Sequence, residues 1–315
     1  MKFSVEEVAR ALGAESPASG RIAGWSVDTR SIKPGDLFFA LRGPNHDGNE
    51  FVEQALGKGA VAAVAEHPAK HPAEGPVVVV PDALAALQQL AHWARGVWGG
   101  GVVAVTGSAG KTSTKEIIAE VLSVSMQVGK NEGNLNNHVG VPLSILRLPE
   151  ETRVAVLEMG MNHAGEIRRL AEIAAPDIGV VTNVGYAHIE NFGSVEGIAL
   201  AKRELIESLG PDGVAVLNAD DAHVAAFRDV HPGRTLTFGL SESADVRGED
   251  VKFGEEIASF RVGNARFETS LAGRHAVLNI LAGLAVGSLY GIRPEQAVEA
   301  VRRLKPGKMR GERFR

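Results

Sequence analysis

From residue 101 to about 290 the chain alternates two kinds of apolar pattern. The continuous runs VVAVT, RVAVLEM, IGVVTNV, GVAVLN and TLTFG are each separated by ten or more residues carrying helical patterns. Such runs suit strands covered on both faces, and their alternation with helices predicts right-handed crossovers and a largely parallel sheet. IASFRVGNARFETSL departs from this, because two β-rich stretches flank Gly263-Asn264 and predict an antiparallel hairpin at the sheet's edge. GRHAVLNILAGLAVGSLYG then reads as a buried helix and RPEQAVEAVRRL as an amphipathic one.

Ahead of this region lie a short helical pattern over residues 4–12, the segment GWSVDTRSIKPGDLFFALRG, and PVVVVPD, an apolar run that reads as a strand ending at Asp82. ALAALQQLAHWARGVW follows with apolar residues at helical spacing, and Gly99, Gly100 and Gly101 stand behind it. The pattern predicts a small α/β unit over 1–82, a connecting helix and hinge over 83–100, and a larger α/β unit over 101–304. The closing KPGKMRGERFR (305–315) carries five basic side chains and no evident element, which fits either a solvated tail or the start of a further domain.

The chemistry begins where the first of the central strands empties into a glycine turn, at VVAVTGSAGKTSTKE (102–116). A full-length phosphate loop would place glycine five positions before Gly110, where Val105 stands, so Gly107-Ser108-Ala109-Gly110-Lys111-Thr112 is a shortened variant. Its mechanics still hold. Gly107 and Gly110 let the backbone turn its amides inward, the helix starting near Lys111 adds its N-terminal field, Lys111 can reach outer phosphates and Thr112 can ligate magnesium. Glu158 ends the strand RVAVLE, and His188 and Glu190 lie in the loop beyond IGVVTNV. In an open parallel sheet such loops line one crevice, so Thr112, Glu158 and His188 are expected to converge.

Lys202 is out of pattern. Ile198, Leu205, Ile206 and Leu209 place it on the apolar face of a helix, where an ammonium must pair, snorkel, lose its proton or react with carbon dioxide to become a carbamate. Spacing alone favours snorkelling. Asn134, Asn136, Asn137 and His138 form a polar cluster ended by Gly140 and Pro142, suited to neutral hydrogen bonding or to a plain turn.

Composition narrows the classes. With 33 basic and 38 acidic residues the net charge is -5, the wrong sign for a general nucleic-acid or membrane-surface binder, so anionic ligands must meet local sites. There is no cysteine, which excludes disulfides, thiolate metal sites and cysteine nucleophiles. MKFSVEEVARAL lacks the pattern of a signal peptide and no apolar run is long enough to span a bilayer, so the expected address is cytoplasmic.

TGSAGKTSTKE, GNLNNHVGVP, LEMGMNHAGEI, TNVGYAHIENFGS, AKREL and GRHAVLNILA, in this order and spacing, resemble the Mur ligases of peptidoglycan synthesis, and most of all the members that use D-alanyl-D-alanine. The resemblance implies an α/β fold with a small N-terminal UDP-substrate domain and a central P-loop ATPase-like domain whose sheet is mostly parallel. It implies ATP and Mg2+ as cofactors, UDP-N-acetylmuramoyl-tripeptide and D-alanyl-D-alanine as partners, and a monomer. Lys111, Glu158, His188 and Lys202 would be catalytic, with Lys202 matching a carbamylated lysine, which reverses the expectation from spacing. Thr112, Glu158, His188 and Lys202 would serve the metal. Gly107, Ser108, Ala109, Gly110, Lys111, Thr112, Ser113, His275, Asn279 and Arg310 would serve ATP, although Ala276 stands where many relatives carry asparagine. Asp28, Thr29, Arg30, Asp47, Gly48, Asn136 and Asn137 would bind substrate, while Asp28 and Arg30 could equally pair inside a turn.

Family members carry a third, Rossmann-like domain, and the resemblance ends at MRGERFR. The expectation is a chain that binds its UDP substrate and turns over poorly alone. A catalytically silent binding module for a UDP-muramyl peptide or nucleotide is the alternative, and a folylpolyglutamate synthetase is a third reading that the first domain disfavours.

Overall fold

Ser4 and Glu7 open the first helix as a reciprocal pair. The Ser4 hydroxyl accepts from the Glu7 amide and the Glu7 carboxylate accepts from the Ser4 amide, starting α1 (Val5–Ala11). In the computed structural model, which describes residues 1–68, 75–255 and 257–305, the chain forms two units. The first holds residues 1–99 together with 138–150, and the second holds 100–137 and the chain from 151.

The first unit is built on a four-stranded parallel sheet, β1 (Gly24–Ser26), β2 (Asp36–Phe39), β3 (Ala62–Ala65) and β4 (Val77–Val79), in that order. It also holds α2 (Val52–Gly57) and α3 (Ala83–Trp98). The run PVVVVPD is a strand only to Val79, because Asp82 leaves the ladder to cap α3, its carboxylate accepting from the Ala85 amide at 2.8 Å. Residues 83–98, read from spacing as a connector, pack as α3 against α1, β2 and β3, burying Leu87, Leu90 and Ala94. Gly99 ends α3 in the left-handed conformation (φ 66°).

The second unit opens with β5 (Gly101–Thr106), α4 (Lys111–Leu122) and β6 (Val128–Lys130). The chain then supplies α5 (Gly140–Leu146) to the first unit, where it packs on α3. It returns for β7 (Val154–Glu158), α6 (Glu166–Ala174), β8 (Ile178–Val181), the single turn α7 (Ile189–Phe192), α8 (Val195–Glu207), β9 (Val214–Asn218), the short α9 (Ala222–Ala225), β10 (Arg234–Gly239) and β11 (Val246–Arg247). Their sheet is parallel throughout, in the order β11-β10-β9-β8-β5-β7-β6. After β5 the chain runs to one side for β6 and β7, then to the other for β8 through β11. The order therefore reverses around β5, and ligands of open α/β sheets gather at the carboxyl ends beside such a reversal.

The Gly263-Asn264 hairpin forms, with Gly263 at φ 56°, but not at the edge of that sheet. β12 (Glu249–Phe253), β13 (Ala258–Val262) and β14 (Ala265–Thr269) make a separate antiparallel sheet. Its buried face, with Phe260 and Phe267 stacked at 5.2 Å, joins a core formed with α10 (Gly273–Leu289) and α11 (Pro294–Arg303). The alternating burial of β13 and β14 explains this: one apolar face is satisfied by helices while the other stays wet.

Candidate functional site

β5 ends at Thr106, and the next turn works only with glycine at two points. Gly107 has φ 152° and an added Cβ would overlap the Thr182 hydroxyl. Gly110 has φ 79°, and an added Cβ would come within 2.8 Å of the Asn279 side chain. α4 starts at Lys111 with no side-chain cap, so no capping side chain offsets its N-terminal field. Lys111 folds back over the turn, donating to the Gly107 carbonyl at 2.9 Å, and Ser113 is half-buried in the first helical turn.

The loop after β8 straps this turn down. Ser108 and Ala109 donate their amides to the Asn183 carbonyl (3.0 Å) and side-chain oxygen (2.9 Å), while Asn183 and Thr182 both donate to the Ala109 carbonyl. The Ser108 hydroxyl exchanges bonds with Gly185. His188 follows as the half-buried start of α7, in the left-handed conformation (φ 65°). Neighbouring parallel strands thus bring the turn at 107–112, Glu158 and the start of the loop that leads to His188 to the carboxyl end of the sheet.

Glu158 ends β7 and is 3 % exposed. Thr112 donates its hydroxyl to one carboxylate oxygen at 2.5 Å and Asn136 donates to the other at 2.7 Å. Both of these donors, a hydroxyl and a side-chain amide, are neutral. A buried carboxylate that accepts from neutral donors is chemically suited to a cation beside it. Hydroxyl and carboxylate oxygens suit magnesium, and magnesium keeps most of its waters, so a full protein cage is not required. Among the described residues no three His, Cys, Asp or Glu side chains form such a cage.

Residues 105–287 match the Mur ligase middle domain, and residues 21–95 match the Mur ligase family, catalytic domain. The chain belongs to the Mur ligase family. The UDP-N-acetylmuramoyl-tripeptide--D-alanyl-D-alanine ligase of Bacillus subtilis is 40% identical over 294 residues, covering 92% of this chain and 64% of the relative. The crystal structure of MurF from Acinetobacter baumannii superposes with a TM-score of 0.91 at 30% identity, covering 98% of this chain and 69% of that one. MurF ligase from Thermotoga maritima in complex with ADP gives a TM-score of 0.78 at 35% identity, over 90% of this chain and 66% of that one. This Mur ligase chain thus spans about 64% of the Bacillus relative's length.

Two lysines of this Mur ligase lie close enough to repel. Lys202 on α8 is 2 % exposed, and burial first, then the Lys111 charge, lowers its ammonium to about 7. Asn279 is buried on α10 against Gly110, and His275 is exposed one turn earlier on the same helix. Arg310 lies outside the described residues.

In the first unit a cavity of about 650 Å³ is lined by Asp28, Thr29, Arg30, Gly48 and, unforeseen from sequence, His46, Gln54 and Lys58. Arg30 does pair with Asp28 inside its turn, at 2.6 Å, and holds that carboxyl down to about 2, its side-chain bond first and its amide second. Thr29 donates to Gln54 at 2.8 Å and Lys58 donates to the Thr29 carbonyl at 2.8 Å. Asp47 is absent from that lining: its carboxylate accepts from the Asn49 amide and pairs with Arg42. Asn137 is exposed at the last position before the chain passes to the first unit. Sequence reasoning also missed Asn183, Lys115 and Asn131, whose contacts depend on neighbours distant in the chain.

Proposed function

We propose that the protein is the ligase that joins D-alanyl-D-alanine to UDP-N-acetylmuramoyl-tripeptide, using ATP. The observation that carries this is the buried Glu158 carboxylate, bonded to Thr112 beside an uncapped helix start and a glycine turn crossed by Lys111. Turn amides and Lys111 would hold the nucleotide's phosphates, with Asn279 and His275 toward the base. Thr112 and Glu158, with His188 and a carbamylated Lys202 beside them, would hold Mg2+, which neutralises phosphate charge.

The chemistry follows from what a carboxylate lacks. An oxygen of the tripeptide's terminal carboxylate attacks the γ-phosphorus and ADP leaves, giving an acyl phosphate. The amine of D-alanyl-D-alanine then attacks the carbonyl carbon, an amide forms, and inorganic phosphate departs with the amine proton lost to solvent. The residues named contribute position and charge rather than covalent steps. Lys202 supports the carbamate reading because only a neutral amine adds to carbon dioxide, and an ammonium lowered to about 7 supplies that form near neutrality. The cavity at Asp28, Thr29, Arg30 and Lys58 is proposed to take the UDP end. A reaction that consumes ATP and a nucleotide sugar belongs in the cytoplasm.

Calorimetric titration tests this. Mg2+·ATP and UDP-N-acetylmuramoyl-tripeptide should each bind, and Lys111→Ala should weaken ATP by about 10-fold or more, the loss of one charge-assisted phosphate contact, with the UDP ligand unaffected. Folate binding in preference to the UDP ligand, or ATP binding indifferent to Lys111→Ala, overturns it.

A further inference from the structure

β6 ends at Lys130, opposite Val156 of β7, two residues short of Glu158. The ladder continues through a side chain. Asn131, fully buried, accepts from the Glu158 amide at 2.9 Å and donates to the Glu158 carbonyl at 3.0 Å and the Leu135 carbonyl at 2.8 Å. One side-chain amide therefore ties both peptide groups of the residue that carries the carboxylate, in the place a strand neighbour would occupy.

The main-chain carbonyl of Asn131 is gripped in turn by Lys115, whose ammonium donates at 2.6 Å. Lys115 is also fully buried, and its carboxylate neighbour, Glu116 at 3.2 Å, is half-exposed and shared with Lys130. An ammonium withdrawn from water costs stability that an apolar side chain of the same length would spare. Lys115 stands three residues after Thr112, so both project from one face of α4. Thr112 reaches the Glu158 carboxylate while Lys115 reaches Asn131, and the circuit from α4 through Glu158 and Asn131 back to α4 is closed.

We propose that Lys115 and Asn131 are positioning residues that hold Glu158 preset, with Thr112, to receive a divalent cation. This rests on the nucleotide-binding function proposed above. Neither residue is assigned contact with nucleotide or metal; both act through Glu158.

The experiment compares ADP binding with and without Mg2+, by calorimetry, in the wild-type chain, Lys115→Met and Asn131→Ser, each checked by thermal unfolding. In the wild type Mg2+ should tighten ADP binding. In both variants the metal-linked gain should fall by about 10-fold or more, as for lost outer-sphere partners, while metal-free ADP affinity stays within about 2-fold. If Lys115→Met does not fold, Asn131→Ser decides alone, because the Lys115 bond to the main-chain carbonyl survives in it. A metal-linked gain that persists in a folded variant overturns the inference and leaves the nucleotide reading standing. A wild-type chain that binds no ADP overturns the nucleotide reading, and the inference falls with it.

Discussion

The Lys202 ammonium and its environment have opposite preferences, and pH decides between them. In the unfolded chain the side chain keeps its proton to the ordinary value of 10.5, whereas in the folded protein burial, with Lys111 adding to it, brings the value to about 7. Between about pH 7 and pH 10 the unfolded state therefore binds more protons, and the contribution of Lys202 to stability rises with pH across that window. Chemical denaturation in carbon-dioxide-free buffer at pH 7.0 and 9.5 should show wild-type stability gaining on Lys202→Met as pH increases. Equal pH dependence in the two proteins would mean that Lys202 is not withdrawn from water. The inward position of Lys202 was legible from its spacing against Ile198, Leu205 and Ile206. Lys115 and Asn131 were not, because their partners are set by β6, a three-residue strand with one buried position.

At the scale of elements, the turn after β5 and the loop after β8 form one piece, joined through Ser108, Ala109, Asn183 and Gly185. Gly107→Ala forces a Cβ onto Thr182 and a side chain into a backbone conformation that only glycine adopts freely. The expected cost is about 1–3 kcal/mol, read as a lowered Tm, together with weakened ADP binding. Four apolar runs announced β5, β7, β8 and β9, because strands buried on both faces have no polar alternation to confuse, and TLTFG announced β10, whose second half is buried. β11, two half-buried residues long, left no such trace. The hairpin was legible and its sheet was not, since a period of two fixes which face is buried without fixing which strand lies alongside.

Over the whole molecule, the chain passes between its two units three times, after Gly99, after Asn137 and after Glu150. The first unit is therefore completed by α5, with Val141, Leu143, Ile145 and Leu146 buried, and by Arg147, which donates to the Trp25 carbonyl at 2.7 Å. Four such side chains represent roughly 6 to 12 kcal/mol of burial, comparable with the entire stability of an ordinary domain. A fragment of residues 1–99 should accordingly show no cooperative thermal transition by circular dichroism, whereas the whole chain should. A sharp transition in the fragment would show that α5 is dispensable. No break in composition marks residues 138–150, so their attachment to the first unit was beyond reach of sequence patterning.

That interruption also governs how the protein is born. When Gly99 has emerged from the ribosome, about fifty residues must still be translated before α5 arrives, a wait of roughly 3 to 10 seconds at common elongation speeds. Through that interval the nascent amino-terminal lobe carries an open apolar face on α3, while the glycine turn at 107–112 is synthesised into a chain whose first lobe is still unfinished.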